Sequence, residues 1–133
     1  MSAETNRAEV AEGVRAAIAA YTLALDDGRT DDVVATFCAD GVVEIPGLGT
    51  HHGHDALRAA YSGLTPRRAQ RHLVLNTLVT DWNDHEASAI SDVMFILQGD
   101  SGWAIQLVGR YHDTLHHDDG TWRFHSRVAE FVT

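Results

Sequence analysis

Val10, Val14, Ile18, Tyr21 and Leu25 recur at three- and four-residue intervals, the stripe of a helix with one buried face. The spacing predicts a helix over residues 9–26, stopped by Gly28. A second helix is expected from Thr30, as N-cap, to about Cys38, with Asp31 and Asp32 at the positive end of its dipole. A short strand over residues 41–45 then ends at Pro46, and residues 47–53 read as a loop or short strand. A third helix follows over residues 54–64, stopped by Gly63 and Pro66. Beyond it the period changes. Residues 71–82, 86–97, 103–117 and 121–132 read as strands separated by the turn-rich segments "NDH", "QGDSG" and "DDG". Such short connections predict an antiparallel meander. The expected fold class is α+β: three N-terminal helices packed on a curved, mostly antiparallel sheet with a concave side able to enclose a pocket. With no repeat, linker or low-complexity segment, residues 1–133 read as one domain.

Alternation within residues 71–82 sends Leu73, Leu75, Thr77 and Val79 one way, and His72, Val74, Asn76 and Leu78 the other. Both sets are largely apolar, so both faces are expected to be buried, with His72 and Asn76 two pleats apart. A buried histidine needs partners for its ring nitrogens, in a core or in a site. Asp26 lies about 100° from Leu25 on the helix, at the edge of the apolar stripe, where solvated carboxylates are common. Tyr21 sits on the stripe, about 140° from Asp26, so spacing alone does not join the two. In the fifth predicted strand, Ile105, Leu107, Gly109, Tyr111 and Asp113 share one face, and Gln106, Val108, Arg110 and His112 the other. Arg110, Arg127 and Asp113 are candidates for an ion network. Gly109 would give room to a helix or ligand. Trp103 and Trp122 are expected at a barrel rim or a dimer face.

Composition removes several functions. The chain carries a net charge of −9, and its basic residues are all arginines. This disfavours nucleic acid and anionic membrane as partners, and the lack of lysine excludes Schiff-base chemistry. With 44% hydrophobic residues the chain can bury a real core. No apolar run has membrane-spanning length and the N-terminus is too polar for a signal peptide, so a soluble cytoplasmic protein is expected. Cys38, the only cysteine, excludes an intrachain disulfide and a cysteine-built zinc site, and reads as a small buried thiol on the second helix. His51, His52 and His54 invite a metal, but no HExxH or facial-triad spacing accompanies them and they lead into a helix start. His85, His116 and His117 read as solvated turn residues. No metal and no cofactor is expected.

The stretches "YTLALDDGRTDDVVATFCADGVVEI", "IPGLGTHHGHDAL", "QRHLVLN" and "GRYHDTLHHDDGTWRFHSR" span nearly the full chain. Together they resemble SnoaL-like members of the NTF2-like superfamily, which are cone-shaped α+β barrels. That scaffold hosts many activities, so membership alone gives no function. The pattern is closest to the group of scytalone dehydratase, bile-acid 7α-dehydratase and hexachlorocyclohexane dehydrochlorinase. The resemblance implies a catalytic dyad of Asp26 and His72, with Tyr21 at the position of the bile-acid dehydratase's tyrosine. It also turns Gly109 and Tyr111 into the pocket, which makes Tyr111 a second hydrogen-bond donor, and it implies a homodimer paired through the outer sheet. Two departures stand out. Leu97 replaces the second catalytic histidine of scytalone dehydratase, and Ile45 replaces its pocket tyrosine. Ketosteroid isomerase is excluded by the same logic, since Ile45 stands for its base and Gly109 for its oxyanion-hole acid.

The residue types suit one chemistry. A carboxylate that accepts a proton from one imidazole nitrogen raises the basicity of the other. That nitrogen can remove a proton beside a leaving group, while a phenol donates to the developing oxyanion. The expected function is a cofactor-independent lyase acting on a small, mostly apolar cyclic substrate. His72 would be its base, oriented by Asp26, with Tyr21 as donor and Asn76, Tyr111, Ile45, Leu97 and Gly109 around the substrate. The alternatives are a SnoaL-type cyclase or isomerase, and a small-molecule-binding module without turnover.

Overall fold

The computed structural model describes residues 6–132 of the chain. Helix α1 (Arg7–Asp26) starts where the Asn6 side chain accepts from the Glu9 amide at 2.9 Å, which satisfies one of the free N–H groups of the first turn. The helix buries the expected stripe of Val10, Val14, Ile18, Tyr21 and Leu25. Gly13 lies flush against the Trp122 indole, and a Cβ there would overlap the ring. Trp122 is accordingly buried beneath α1 and not at a rim, whereas Trp103 is exposed.

Helix α2 (Thr30–Ala35) is shorter than its sequence suggests, and Arg29 occupies its N-cap in place of Thr30. It stops because Phe37 is needed elsewhere. Strand β1 (Phe37–Ile45) begins with that residue, which pairs with Phe124 and packs ring to ring on it at 5.4 Å. An aromatic residue with a cross-strand aromatic partner gains more in a strand than in a helix end. Cys38 therefore lies on β1, half-buried, with its Sγ 3.7 Å from the Arg123 carbonyl.

Strand β2 (Gly49–His52) folds back antiparallel on β1, and α3 (His54–Ser62) follows it. The long strands β3 (Gln70–Trp82), β4 (Glu86–Gly99), β5 (Gly102–Asp118) and β6 (Thr121–Phe131) form the expected meander. The sheet order is β2-β1-β6-β5-β4-β3, and only β1 and β6 run parallel. The result is a curved, open, mostly antiparallel sheet with the helices packed on it, a cone-shaped α+β fold. No described helix is long and apolar enough to cross a membrane.

Register shifts decide what faces inward. The β3–β4 ladder slips between Val74 and Asn76, and again between Val79 and Asp81. A bulge adds a residue to one strand and reverses its side-chain phase beyond that point. His72 and Val74 thus lie on the half-buried face, but past the slip Val79 is buried while Asn76 and Leu78 are exposed. Nor are both faces of β3 covered: Leu73, Leu75 and Leu78 stand 39%, 61% and 50% exposed. A matching slip in β4–β5 between Phe95 and Ile96 turns Ile105 outward, while Leu107, Gly109 and Tyr111 face the concave side.

Candidate active site

Asp26 is the last residue of α1, where the helix dipole is negative and a carboxylate is disfavoured. Three N–H groups offset this. The His72 backbone amide donates to Oδ2 at 2.8 Å, His72 Nδ1 lies 2.7 Å from Oδ1, and Gln70 Nε2 donates to Oδ1 at 3.2 Å. Burial pushes the Asp26 carboxyl up, but the hydrogen bonds from the His72 ring and backbone and from Gln70 outweigh it and hold the group below the usual carboxylate range. An ionised carboxylate only accepts, so Nδ1 carries a proton, and in the neutral ring Nε2 is the nitrogen with the lone pair.

Linkage gives this arrangement a sign. Because the folded carboxyl titrates below its unfolded value, Asp26 contributes stability above about pH 4 and loses it as pH falls through the folded value. The stability gap between wild type and Asp26→Asn should therefore narrow as pH drops below about 4. Urea unfolding of both proteins at neutral pH and at pH 3 checks this, and an unchanged gap contradicts it.

His72 opens on a cavity of about 210 Å³ on the concave side of the sheet. Leu25, Ile45, Val93, Phe95, Leu107 and Gly109 make its walls apolar. Tyr21, Gln70, His72 and Tyr111 supply most of the polarity, and Leu64, Glu130 and Phe131 also line it. The Phe95 ring lies against the imidazole with centroids 4.5 Å apart. A Cβ on Gly109 would come within 2.9 Å of the Glu130 carbonyl, so the close approach of β6 itself requires glycine there.

The two cavity tyrosines differ. The Tyr21 hydroxyl is shared with that of Tyr61 at 2.6 Å. The Tyr111 hydroxyl has no hydrogen-bond partner among the described residues and is not sealed from the cavity its side chain lines. Burial raises the titration of both phenols, so both stay protonated donors at neutral pH. Beneath them lies Arg127, fully buried, with Nε 2.9 Å and Nη2 3.3 Å from the Asp113 carboxylate oxygens. Its guanidinium carbon sits 3.5 Å from the Tyr111 ring centroid and 4.3 Å from that of Tyr21. Arg110 has no part in this pair. It bonds Asp92 on the outside of the sheet at 2.8 Å.

The structure thus brings Tyr21, Ile45, His72, Gly109 and Tyr111 to one cavity, with Asp26 bonded to His72 behind its wall. Two other candidates lie elsewhere. Asn76 is exposed and exchanges hydrogen bonds with Asp92, because the β3 slip turns it out. Leu97 pairs with Gln70 at the strand end and does not line the cavity, and Phe95 takes the place opposite His72. Gln70 and Phe95 are the functional neighbours that the pattern did not flag. Gln70 was findable, since it lies one pleat before His72.

Four other histidines, His54, His85, His116 and His117, line a broad cleft of about 860 Å³ toward the far end of β5. His116 stacks on His125 with centroids 4.1 Å apart and bonds Glu86 at 3.0 Å, while His117 stacks on Trp122 at 4.7 Å. Both are half-buried and engaged, not the free solvated rings expected. His54 bonds the Phe37 carbonyl at 2.9 Å. Among the described residues, no three His, Cys, Asp or Glu side chains are grouped to hold a metal ion.

Comparison with known proteins follows the same outline. No curated protein matches the chain. A function-unknown protein of Mycobacterium tuberculosis, solved as an aspartate-to-asparagine variant, superposes with a TM-score of 0.86 at 25% identity, covering 92% of this chain and 72% of its own. A candidate scytalone dehydratase of Novosphingobium aromaticivorans gives 0.82 at 23% identity, over 93% of this chain and 85% of that one. A Catenulispora acidiphila protein in complex with S-DNPA gives 0.84 at 22% identity, over 94% and 95%. The last two likenesses speak to the fold alone. The sequence itself matches the SnoaL-like domain over residues 6–128, and the chain belongs to that family.

Proposed function

We propose that the protein is a cofactor-independent lyase that eliminates water, or a related leaving group, from a small cyclic compound. One observation carries this reading: an imidazole whose Nδ1 is tied to a buried carboxylate and whose ring lines an apolar cavity. His72 Nε2 takes a proton from the carbon beside a ring carbonyl, whose electron pair moves toward the carbonyl oxygen, and Tyr111 donates to that oxygen as charge develops there. The β-hydroxyl then departs as water with the proton returned by the imidazolium, leaving a carbon–carbon double bond. Tyr21, supported by Tyr61, is the second donor. The likeness to a candidate scytalone dehydratase agrees with this chemistry without assigning the substrate. Water loss from 3-hydroxy-1-tetralone, which yields a naphthol, tests it by ultraviolet absorbance. Loss above the buffer rate that disappears in His72→Ala supports the reading, and equal rates for the two proteins contradict it.

The domain acts in the cytoplasm as a homodimer in this account. Leu73, Leu75, Leu78, Ile105 and Val108 stand exposed on the outward face of β3 and β5, and so large an apolar patch marks an interface. Sedimentation at twice the 14.5 kDa chain mass is the expected result, shifting to the monomer in Leu75→Glu. A monomeric wild type contradicts it.

A further inference from the structure

Gln70 carries a feature that neither packing nor the dyad explains. Its side chain is buried at 7% exposure, and its Nε2 donates to Asp26 Oδ1 at 3.2 Å. Both carboxylate oxygens only accept, so the amide has one possible orientation and Oε1 is turned away from Asp26. That oxygen has no hydrogen-bond partner among the described residues. It is not sealed in protein either, because among the described residues the only sealed side-chain nitrogen or oxygen without a partner is Arg127 Nη1. Gln70 lines the cavity, where Leu25, Ile45, Val93, Phe95 and Leu107 offer nothing to an acceptor. A nearly buried amide oxygen in such walls is under-satisfied until a donor arrives.

We infer that Gln70 is a specificity residue that reads a hydroxyl or N–H donor on the ligand through Oε1, while its Nε2 holds Asp26 in place. With the Tyr111 hydroxyl as donor, the cavity then presents an acceptor and a donor in apolar walls. It selects neutral, hydroxylated or N–H-bearing ring compounds over their methyl ethers. It also rejects carboxylates, which would set their oxygens against Gln70 Oε1. A site built to pair a donor discriminates strongly against the analogue that lacks it. The inference rests on the cavity being the ligand site, as proposed above, but not on turnover.

Fluorescence titration with 2-naphthol and 2-methoxynaphthalene tests it on the whole protein. Either oxygen can accept from Tyr111, but only the naphthol can donate. Wild type is expected to bind the naphthol roughly 10-fold more tightly, as one net hydrogen bond implies. In Gln70→Met, close in shape, that preference should fall to within about 2-fold, with Gln70→Leu as a second variant and near-ultraviolet circular dichroism reporting the fold of each. A preference retained in both variants overturns the inference and puts the hydroxyl on His72 Nε2. Equal affinity of wild type for the two probes overturns it as well. Failure of wild type to bind either probe overturns the cavity as ligand site and the inference with it, a result distinct from binding without discrimination.

Discussion

Replacing Arg127 with alanine is expected to lower the unfolding free energy by about 3–5 kcal/mol. The side chain is wholly buried, as is its partner Asp113, and it fills the space between the rings of Tyr21, Tyr111 and Phe124. Alanine removes the charge that faces the Asp113 carboxylate and also leaves a void. Burial already pushes Asp113 up against the pull of Arg127, so the abandoned carboxyl takes up a proton instead of remaining charged. That loss is a large part of the roughly 5–15 kcal/mol that holds a domain together. The double replacement Arg127→Met with Asp113→Leu should lose less than Arg127→Ala, because it leaves neither a lone buried carboxyl nor as large a void. Urea unfolding of the three proteins checks both statements. A loss under about 1 kcal/mol in Arg127→Ala means that the pair is not a determinant of the core.

Asp26→Asn should lower turnover on the order of 10²–10⁴-fold, with the fold retained. The asparagine oxygen still accepts one of the N–H groups that now meet the carboxylate, so α1 stays docked on β3. It cannot supply the negative charge that stabilises a protonated imidazole during the reaction. Rates of water loss from 3-hydroxy-1-tetralone and melting temperatures, measured side by side, separate the two consequences. A variant that melts earlier but turns over normally assigns Asp26 to holding the helix and removes it from the chemistry.

Hydrophobic spacing was enough to read α1 and the four long strands, because each carries a stripe or alternation over ten or more residues. It misjudged α2, whose end is decided by what Phe37 meets on a strand far along the chain. The site divides in the same way. Asp26 and His72 stood out by residue type and by resemblance to a family. Their contact depends on α1 crossing the end of β3, which no local pattern encodes. Leu97 and Asn76 lie outside the cavity because of register: the slips along β3 turn Asn76 outward and set Phe95, not Leu97, opposite His72. Bulges depend on how a curved sheet closes over its core, and alternation in one strand is blind to them. Arg127 was legible as one member of an ion pair, but its burial behind the cavity tyrosines was not.

On the proposed mechanism His72, oriented by Asp26, removes a proton from carbon inside the cavity. The most direct measurement is hydrogen–deuterium exchange at the carbons flanking the carbonyl of 2-tetralone in D₂O, followed by proton NMR with wild type and Asp26→Asn at equal concentration. Neither a leaving group nor a matched natural substrate is needed for that reaction. Exchange well above the buffer rate is expected in wild type and is expected to be lost in a folded Asp26→Asn. Exchange at the buffer rate in both proteins, or at the same elevated rate in both, contradicts the mechanism.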